Sequence, residues 1–491
     1  MAEELSSYEY KTIDFDDPAS LLSYAKKLEG HTFQDVIDLG IIPSGVEATK
    51  DYSRKSRKGG MGNLIEERYF GYKANSDDHA DFTNAGVELK CTCFDMKKKA
   101  GISAGERLVL GMIKFDESIE APFEQSHAWE KGHKVLLIYY GRDKSVPSYD
   151  QRIAYVTLFT PPETDRAIME EDYHIIQRYI TEGRADELSE SLTKYLGACT
   201  KGRNTQKSMR DQAVYAPGKP ARGRAWCFKQ SYMNAVLREY IVGDKGGESI
   251  VKDPTQLTNR TFEEFVLSLI EPYIGMTDQE ICDRLGIPYT GNKSQWSTIT
   301  YKILGVKGNR AEEFEKANIS ARTVRIEANG TIKQSMSLDY FKFKDLVNES
   351  WDESPLRNYF EETRFFFVAF DQTKNGATLR GARFWSMPKS DIDGPLHDCW
   401  EQTRETIRNG VVIQPEKWGS GDRYTNNLPD KTDNPIAHVR PHSYRRAYKF
   451  DDGTEIGNLL KDADELPDGR WMTKQSFWIN NDYIYEIVKD I

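Results

Sequence analysis

The sequence predicts an α/β fold, a mixed sheet flanked by helices, built twice in tandem. Three observations carry that reading. Two strand-like apolar runs, KVLLIY at 134–139 and RFFFVA at 364–369, lie far apart in a chain of 491 residues. Each leads into a 32-residue segment, 152–183 and 379–410, and the two segments align without a gap. Between the halves lies DKGGESIVKDPTQLT at 244–258, rich in Gly, Asp and Lys, which reads as a connector.

Within the aligned segments Pro161 meets Pro388, Tyr173 meets Trp400, Ile180 meets Ile407 and Gly183 meets Gly410. Each copy reads as a strand, a Pro-marked turn, a helix and a Gly stop. Further on, Lys229-Gln230-Ser231-Tyr232 is echoed by Lys474-Gln475-Ser476-Phe477, and each is read as opening a helix. After the connector a helix resumes with Thr261 as N-cap, its apolar positions Phe262, Phe265, Val266, Leu269 and Ile270 at helical spacing. The expected domains are 1–243 and 259–491, joined by 244–258.

Composition narrows the class. The chain is 38% hydrophobic and 29% charged, as globular proteins are. No apolar run approaches the ~20 residues of a membrane span, so no membrane association is expected. The opening MAEELSSYEYKTIDFDD is acidic and lacks an apolar core segment, so a cytoplasmic location is expected. Six cysteines without a CxxC pair argue against a disulfide scaffold or a zinc ribbon. The net charge of −10 disfavours general coating of nucleic acid. Yet residues 49–60 hold five basic groups and one acid, 201–230 hold eight and one, and 440–449 hold four and none. A Lys/Arg cluster is by default a solvated face. Three of them in an acidic chain suggest a confined groove for an anion.

The chemistry concentrates in 58–94, KGGMGNLIEERYFGYKANSDDHADFTNAGVELKCTCF. VELKCTCF reads as a strand, so Glu88 and Lys90 share one face and Leu89 takes the other. Asp81 lies in the turn-rich approach, with six residues between it and Glu88. Two converging carboxylates suit Mg²⁺, which completes its shell with water and substrate phosphate. Lys90 can orient water or neutralise the phosphate. Residues 61–71 read as a helix with Leu64, Ile65 and Tyr69 toward a core. Glu66 beside that stripe is either a surface acid paired with Arg68 or a third acid aimed at the site. Lys58 lies where a phosphate backbone can rest.

KGGMGNLIEERYFG followed by DFTNAGVELK resembles the MutH family, a branch of the PD-(D/E)xK nucleases. Over its length the chain is similar to the two-domain Sau-type, GATC-cutting type II restriction endonucleases. RLVL (107–110), LSESLTKYLGACTKG (188–202), SIVKDP (249–254), FWSMP (384–388), HVRPH (438–442) and WMTKQSFWINNDYI (471–484) look like family segments. The resemblance runs from about residue 55 to the C-terminus. It implies two tandem MutH-like domains, the second degenerate. It implies Mg²⁺ at Asp81 and Glu88, a catalytic role for Lys90 and a supporting one for Glu66.

Setting Gly305 opposite Gly71 places Thr300 at Glu66, Thr323 at Glu88 and Arg325 at Lys90, with Lys316 or Glu315 near Asp81. With the carboxylates lost, the second half is expected to bind DNA without cutting it, and the resemblance implies an effector domain for a second site. Thr200, Lys201 and Arg203 in the first half, and Arg440 and His442 in the second, are the expected DNA contacts, since Lys and Arg suit guanine in the major groove. Lys229 and Lys474 are expected at phosphates. The implied activity is double-strand cleavage at GATC, 5′ of the G, with DNA-dependent self-association or looping and a host methyltransferase as counterpart. The competing readings are a strand-nicking repair endonuclease and a non-catalytic DNA-binding regulator.

Overall fold

The two apolar runs become central strands because neighbours cover both of their faces. In the computed structural model, Val135–Gly141 and Arg364–Thr373 are strands buried through most of their length. The structure describes residues 5–6, 8–53, 59–75, 79–97, 101–119, 122–201, 206–244, 246–292, 294–374, 376–418 and 421–491. The chain divides into two compact units, Met1–Phe262 with Arg310–Asn318, and Glu263–Asn309 with Ile319–Ile491. Residues 244–258 therefore group with the first unit, and so does a short segment from far beyond them.

The first unit contains α1 (Gly60–Arg68), β1 (Glu88–Lys97), β2 (Gly101–Ala104), β3 (Leu108–Met112), α2 (His127–Gly132), β4 (Val135–Gly141), β5 (Ile153–Phe159), α3 (Glu163–Thr181), β6 (Leu196–Thr200), β7 (Arg224–Phe228) and α4 (Gln230–Val236). Its main sheet has the order β2-β1-β4-β5. Only β1 and β4 run parallel. A second, antiparallel sheet has the order β3-β7-β6. Leu89, Leu136 and Ile138 pack with Leu64 and Ile65 of α1 and with Tyr69 at its C-cap, which fixes that helix against β1 and β4. Alternation along β1 turns Glu88 and Lys90 the other way.

The later elements are α5 (Gln295–Ile303), α6 (Glu312–Ala317, part of the first unit), β8 (Ile319–Ile326), β9 (Met336–Phe341), α7 (Pro355–Glu362), β10 (Arg364–Thr373), β11 (Gly376–Trp385), α8 (His397–Asn409), β12 (Ala437–Pro441), β13 (Gln475–Ile479) and α9 (Asn481–Val488). The second unit repeats the topology. In its mixed sheet β8 runs parallel to β10 and β11 antiparallel, and a separate antiparallel sheet has the order β9-β13-β12. The two aligned 32-residue segments fold alike, as β5 to α3 and β11 to α8. In the second copy, non-helical backbone at Gly394 before Pro395 kinks the entry to α8.

Three expectations change. Lys229 caps α4, but Lys474-Gln475-Ser476 enters strand β13, and the helix waits until Asn481. The residue placed like Lys229 is Asn480, the N-cap that follows β13. Second, the strand register moves the lost catalytic positions. Glu88 pairs with Val135 and Ser320 pairs with Phe365, the counterpart of Val135 in the apolar runs. Ser320 and Arg322 thus stand where Glu88 and Lys90 do. Thr323 and Arg325 are an odd number of residues away and face the other side. Third, Glu315 and Lys316, set near Asp81 by the sequence comparison of the halves, belong to the first unit and not to the second.

Candidate active site

The site begins at a glycine. A Cβ on Gly60 would lie 2.0 Å from the carbonyl oxygen of Tyr52, so only glycine lets α1 start there. The helix is then pinned from below. Arg68 donates to the carbonyl oxygens of Ile41, Glu47 and Ala48. Glu67 accepts from Lys50 at 2.6 Å and from Tyr52 Oη at 2.6 Å. Arg68 is thereby engaged away from Glu66. Burial works against the Glu67 charge, and these donors hold its carboxyl below the usual value.

Asp81 and Glu88 meet through a tight hairpin. Phe82 and Val87 form an isolated antiparallel bridge, with Gly86 at φ 63° in the turn. The residues one step outward, Asp81 and Glu88, therefore stand opposite each other. The amide of Asp81 donates to Glu88 Oε2 at 3.3 Å, and the amide of Leu89 donates to Asp81 Oδ2 at 2.9 Å. This is the physical content of the D-x6-E spacing.

Charge is packed tightly here. Glu88 is 1% exposed. Its Oε1 accepts from Lys90 Nζ and lies 3.6 Å from Lys131 Nζ. Burial pushes its carboxyl up, and Lys90 works against that. Glu66 is pushed up to about 7, first by burial and next by the Asp81 charge. Tyr72 brings a buried hydroxyl that has no hydrogen-bond partner among the described residues. Burial and then the charge of Asp81 push that phenol up, with Glu66 and Glu88 adding to the effect.

The donor set fits a hard cation. Among the described residues no group of three or more His, Cys, Asp and Glu is arranged around a common point. Asp81 and Glu88 offer two carboxylates, which is what Mg²⁺ takes from a protein when water and phosphate supply the rest. The unpartnered hydroxyl of Tyr72 is a further oxygen in the same field.

Sequence reasoning missed Lys131. It stands in α2, just ahead of β4, and nothing local marks it. Its signal is topological, since β4 lies parallel beside β1 and brings α2 to Glu88. Lys134, just before β4, reaches the carbonyl oxygen of Ala85 at 3.5 Å. Lys131 also lines a cleft of about 290 Å³ together with Lys114, His127 and Lys201. Lys201 follows the last residue of β6, Thr200, so Lys131, which approaches Glu88, shares a cleft with the residue that follows that strand. Lys58 and Arg203 lie outside the described residues.

Lys229 is 2% exposed and donates to the carbonyl oxygens of Thr193 and Ala317, both at 3.0 Å, so its ammonium is spent inside the unit and not at a surface phosphate. In the second unit Arg440, His442 and Lys474 gather around two rings. The guanidinium of Arg440 lies 4.9 Å from the Trp478 ring centre, Lys474 Nζ 5.0 Å from that of Tyr340, and the His442 ring 5.7 Å from Tyr340. Tyr340 and His442 also line a cleft of about 990 Å³ with Arg322, Lys342, Trp400 and Phe477.

Residues 70–172 match the family model described as the DNA mismatch repair enzyme MutH. Over 476 residues the chain is 38% identical to the type II restriction enzyme Sau3AI of Staphylococcus aureus, covering 91% of this chain and 96% of that enzyme. It is 22% identical over 223 residues to the mismatch repair protein MutH of Pasteurella multocida, covering 45% of this chain and 96% of that protein. The MutH protein of Actinobacillus pleuropneumoniae serotype 3 is 27% identical over 186 residues, 38% of this chain and 77% of that one.

Proposed function

Because this chain belongs to the MutH/Sau-type family and is a type II restriction endonuclease, we propose that its first unit hydrolyses DNA with Mg²⁺ at GATC, on the 5′ side of the G, and that its second unit binds a further copy of the site. The observation that carries the first part is the hairpin that sets Asp81 against Glu88 beside Lys90 and Lys131, the second of which lines a cleft with Lys201.

Asp81 and Glu88 would hold the cation. When bound, Mg²⁺ supplies positive charge at the scissile phosphate and makes water more acidic. The protein's own groups do the rest. Lys90 and Lys131 place two ammonium groups where phosphate charge grows during hydrolysis. Glu66, whose carboxyl burial and the Asp81 charge push up to about 7, is suited to accept a proton from the attacking water near neutral pH. Lys201 and Thr200 meet the groove edge of the duplex, as their place beside the cleft supports. Among the described residues one chain offers one such site, so cutting both strands takes a DNA-bound pair of chains or two successive nicks.

The second unit keeps the topology while Ser320 and Arg322 replace the acid and the amine. A serine cannot replace a carboxylate at a divalent cation of this kind. Arg440, His442, Lys474 and the rings beside them suit phosphates and bases. That combination supports a module that grips duplex without cutting it.

Digestion of unmethylated plasmid in Mg²⁺, followed by end sequencing, tests the reading. The expected product is linear DNA with ends 5′ of GATC. Nicked circles alone at every enzyme level would point instead to a strand-nicking enzyme, and intact plasmid to a binding protein.

A further inference from the structure

We propose that Arg310–Asn318 is a tie that carries the state of the second unit into the catalytic unit. The idea rests on the reading of the second unit as a DNA-binding effector. It adds the element through which that effector acts.

The segment is built into the first unit although the chain on both sides of it belongs to the second. Its entry is a backbone clasp. The amide of Glu248 donates to Arg310 O at 3.1 Å, and the amide of Glu312 donates to Glu248 O at 3.0 Å. Gly247 makes room for this, since a Cβ there would lie 2.5 Å from Arg310 O.

Two buried charges then hold α6. Glu313, 4% exposed, accepts from Ser249 Oγ at 2.6 Å and from the amides of Ile250 and Val251 at 2.8 and 2.9 Å. Lys316, 2% exposed, pairs with Asp165 of α3 at 3.0 Å and with Glu312 at 2.7 Å. Asp165 also accepts from Tyr232 Oη of α4 at 3.0 Å. The exit is fastened as well. Ser231 Oγ donates to Lys316 O at 2.7 Å, and Lys229 Nζ donates to Ala317 O at 3.0 Å.

A connector that only joined two bodies would need none of this. It would be solvated and tolerant of length. Here the chain leaves its anchor at Asn318, held in the left-handed region at φ 55°, and the very next residue, Ile319, opens β8. No slack residue intervenes. β8 carries Ser320 and Arg322, the positions that answer to Glu88 and Lys90. On the other side, the anchor grips α4, whose preceding strand β7 pairs with β6, and β6 ends at Thr200 beside Lys201. A displacement of β8 is therefore delivered by covalent chain to α6, and through α4 and β7 to Lys201, which shares a cleft with Lys131, the partner of Glu88.

The test adds slack. Four residues, Gly-Ser-Gly-Ser, are inserted between Asn318 and Ile319 in the full chain. Cleavage of a plasmid with one GATC site is measured with and without a short GATC duplex supplied in trans. The wild-type chain should be stimulated, within the ~5- to 150-fold span usual for coupled sites. The slack variant should keep the unstimulated rate and lose the stimulation. Lys316→Met, which loosens the anchor without lengthening the chain, should show the same loss and guards against an insertion that disturbs β8. Full stimulation in either variant overturns the tie while leaving the effector reading intact. A wild-type chain that the duplex does not stimulate overturns the effector reading and the tie with it.

Discussion

Replacing Lys131 by alanine removes a cation that no sequence motif announces, so it tests the geometry directly. The ammonium lies 3.6 Å from Glu88 Oε1, and both side chains are nearly sealed from solvent. At that distance, with an effective dielectric of ~20, the pair attracts by about 5 kcal/mol. This attraction belongs to the ground state, and in the variant Lys90, which contacts the same oxygen, remains. Removing one preorganised group that meets growing charge typically costs about 2.7–4 kcal/mol, or roughly 10²–10³ in rate. The expected result is a fall of that size in the single-turnover cleavage rate, with gel-shift affinity for the same duplex changed far less. Thermal unfolding of the variant should stay close to wild type, since Glu88 keeps one partner. A single-turnover rate within about threefold of wild type would mean that Lys131 does not face the reacting phosphate, and the two-ammonium account would fail.

Two further outcomes follow from buried groups and a third from an exposed arginine. Lys316→Met strands the Asp165 carboxylate and should cost about 3–5 kcal/mol, whereas Lys316→Met with Asp165→Leu should recover most of it, as read by thermal unfolding; a double variant no better than the single one would contradict the burial argument. Glu67 has its carboxyl held below the usual value, so its contribution is present above the ordinary carboxylate range and fades as pH falls through the lowered value. The gap in melting temperature between wild type and Glu67→Gln should therefore be widest near neutrality and close in acid, and a gap that widens in acid would reverse the sign. Arg440→Ala should reduce the salt dependence of duplex binding by about one unit of slope without touching single-site cleavage; an unchanged slope would remove Arg440 from the phosphate contacts.

What the sequence disclosed depended on whether the deciding contact was local. The two apolar runs at 134–139 and 364–369 announced themselves because strands covered on both faces leave no polar period to read. The D-x6-E spacing was legible because Phe82 and Val87 close a turn within that same stretch. Lys131 was not, since its approach to Glu88 arises from the pairing of β4 with β1, more than forty residues away in sequence. The KQS echo misled for a related reason. A tripeptide followed by apolar residues can open a helix, as at Lys229, or enter a buried strand, as at Lys474, and only the neighbouring strands decide. An offset of three residues in β8 set Thr323 on the wrong face, because strand geometry punishes any odd error. The membership of 310–318 in the first unit was hidden by chain order, which favours assigning a segment to the domain that surrounds it.

The most direct measurement is cleavage by Glu88→Ala set beside its binding to the same GATC duplex in Mg²⁺. The hairpin account predicts intact plasmid and a persistent gel shift. A variant that still linearises plasmid at the wild-type rate would show that hydrolysis takes place somewhere other than between Asp81 and Glu88.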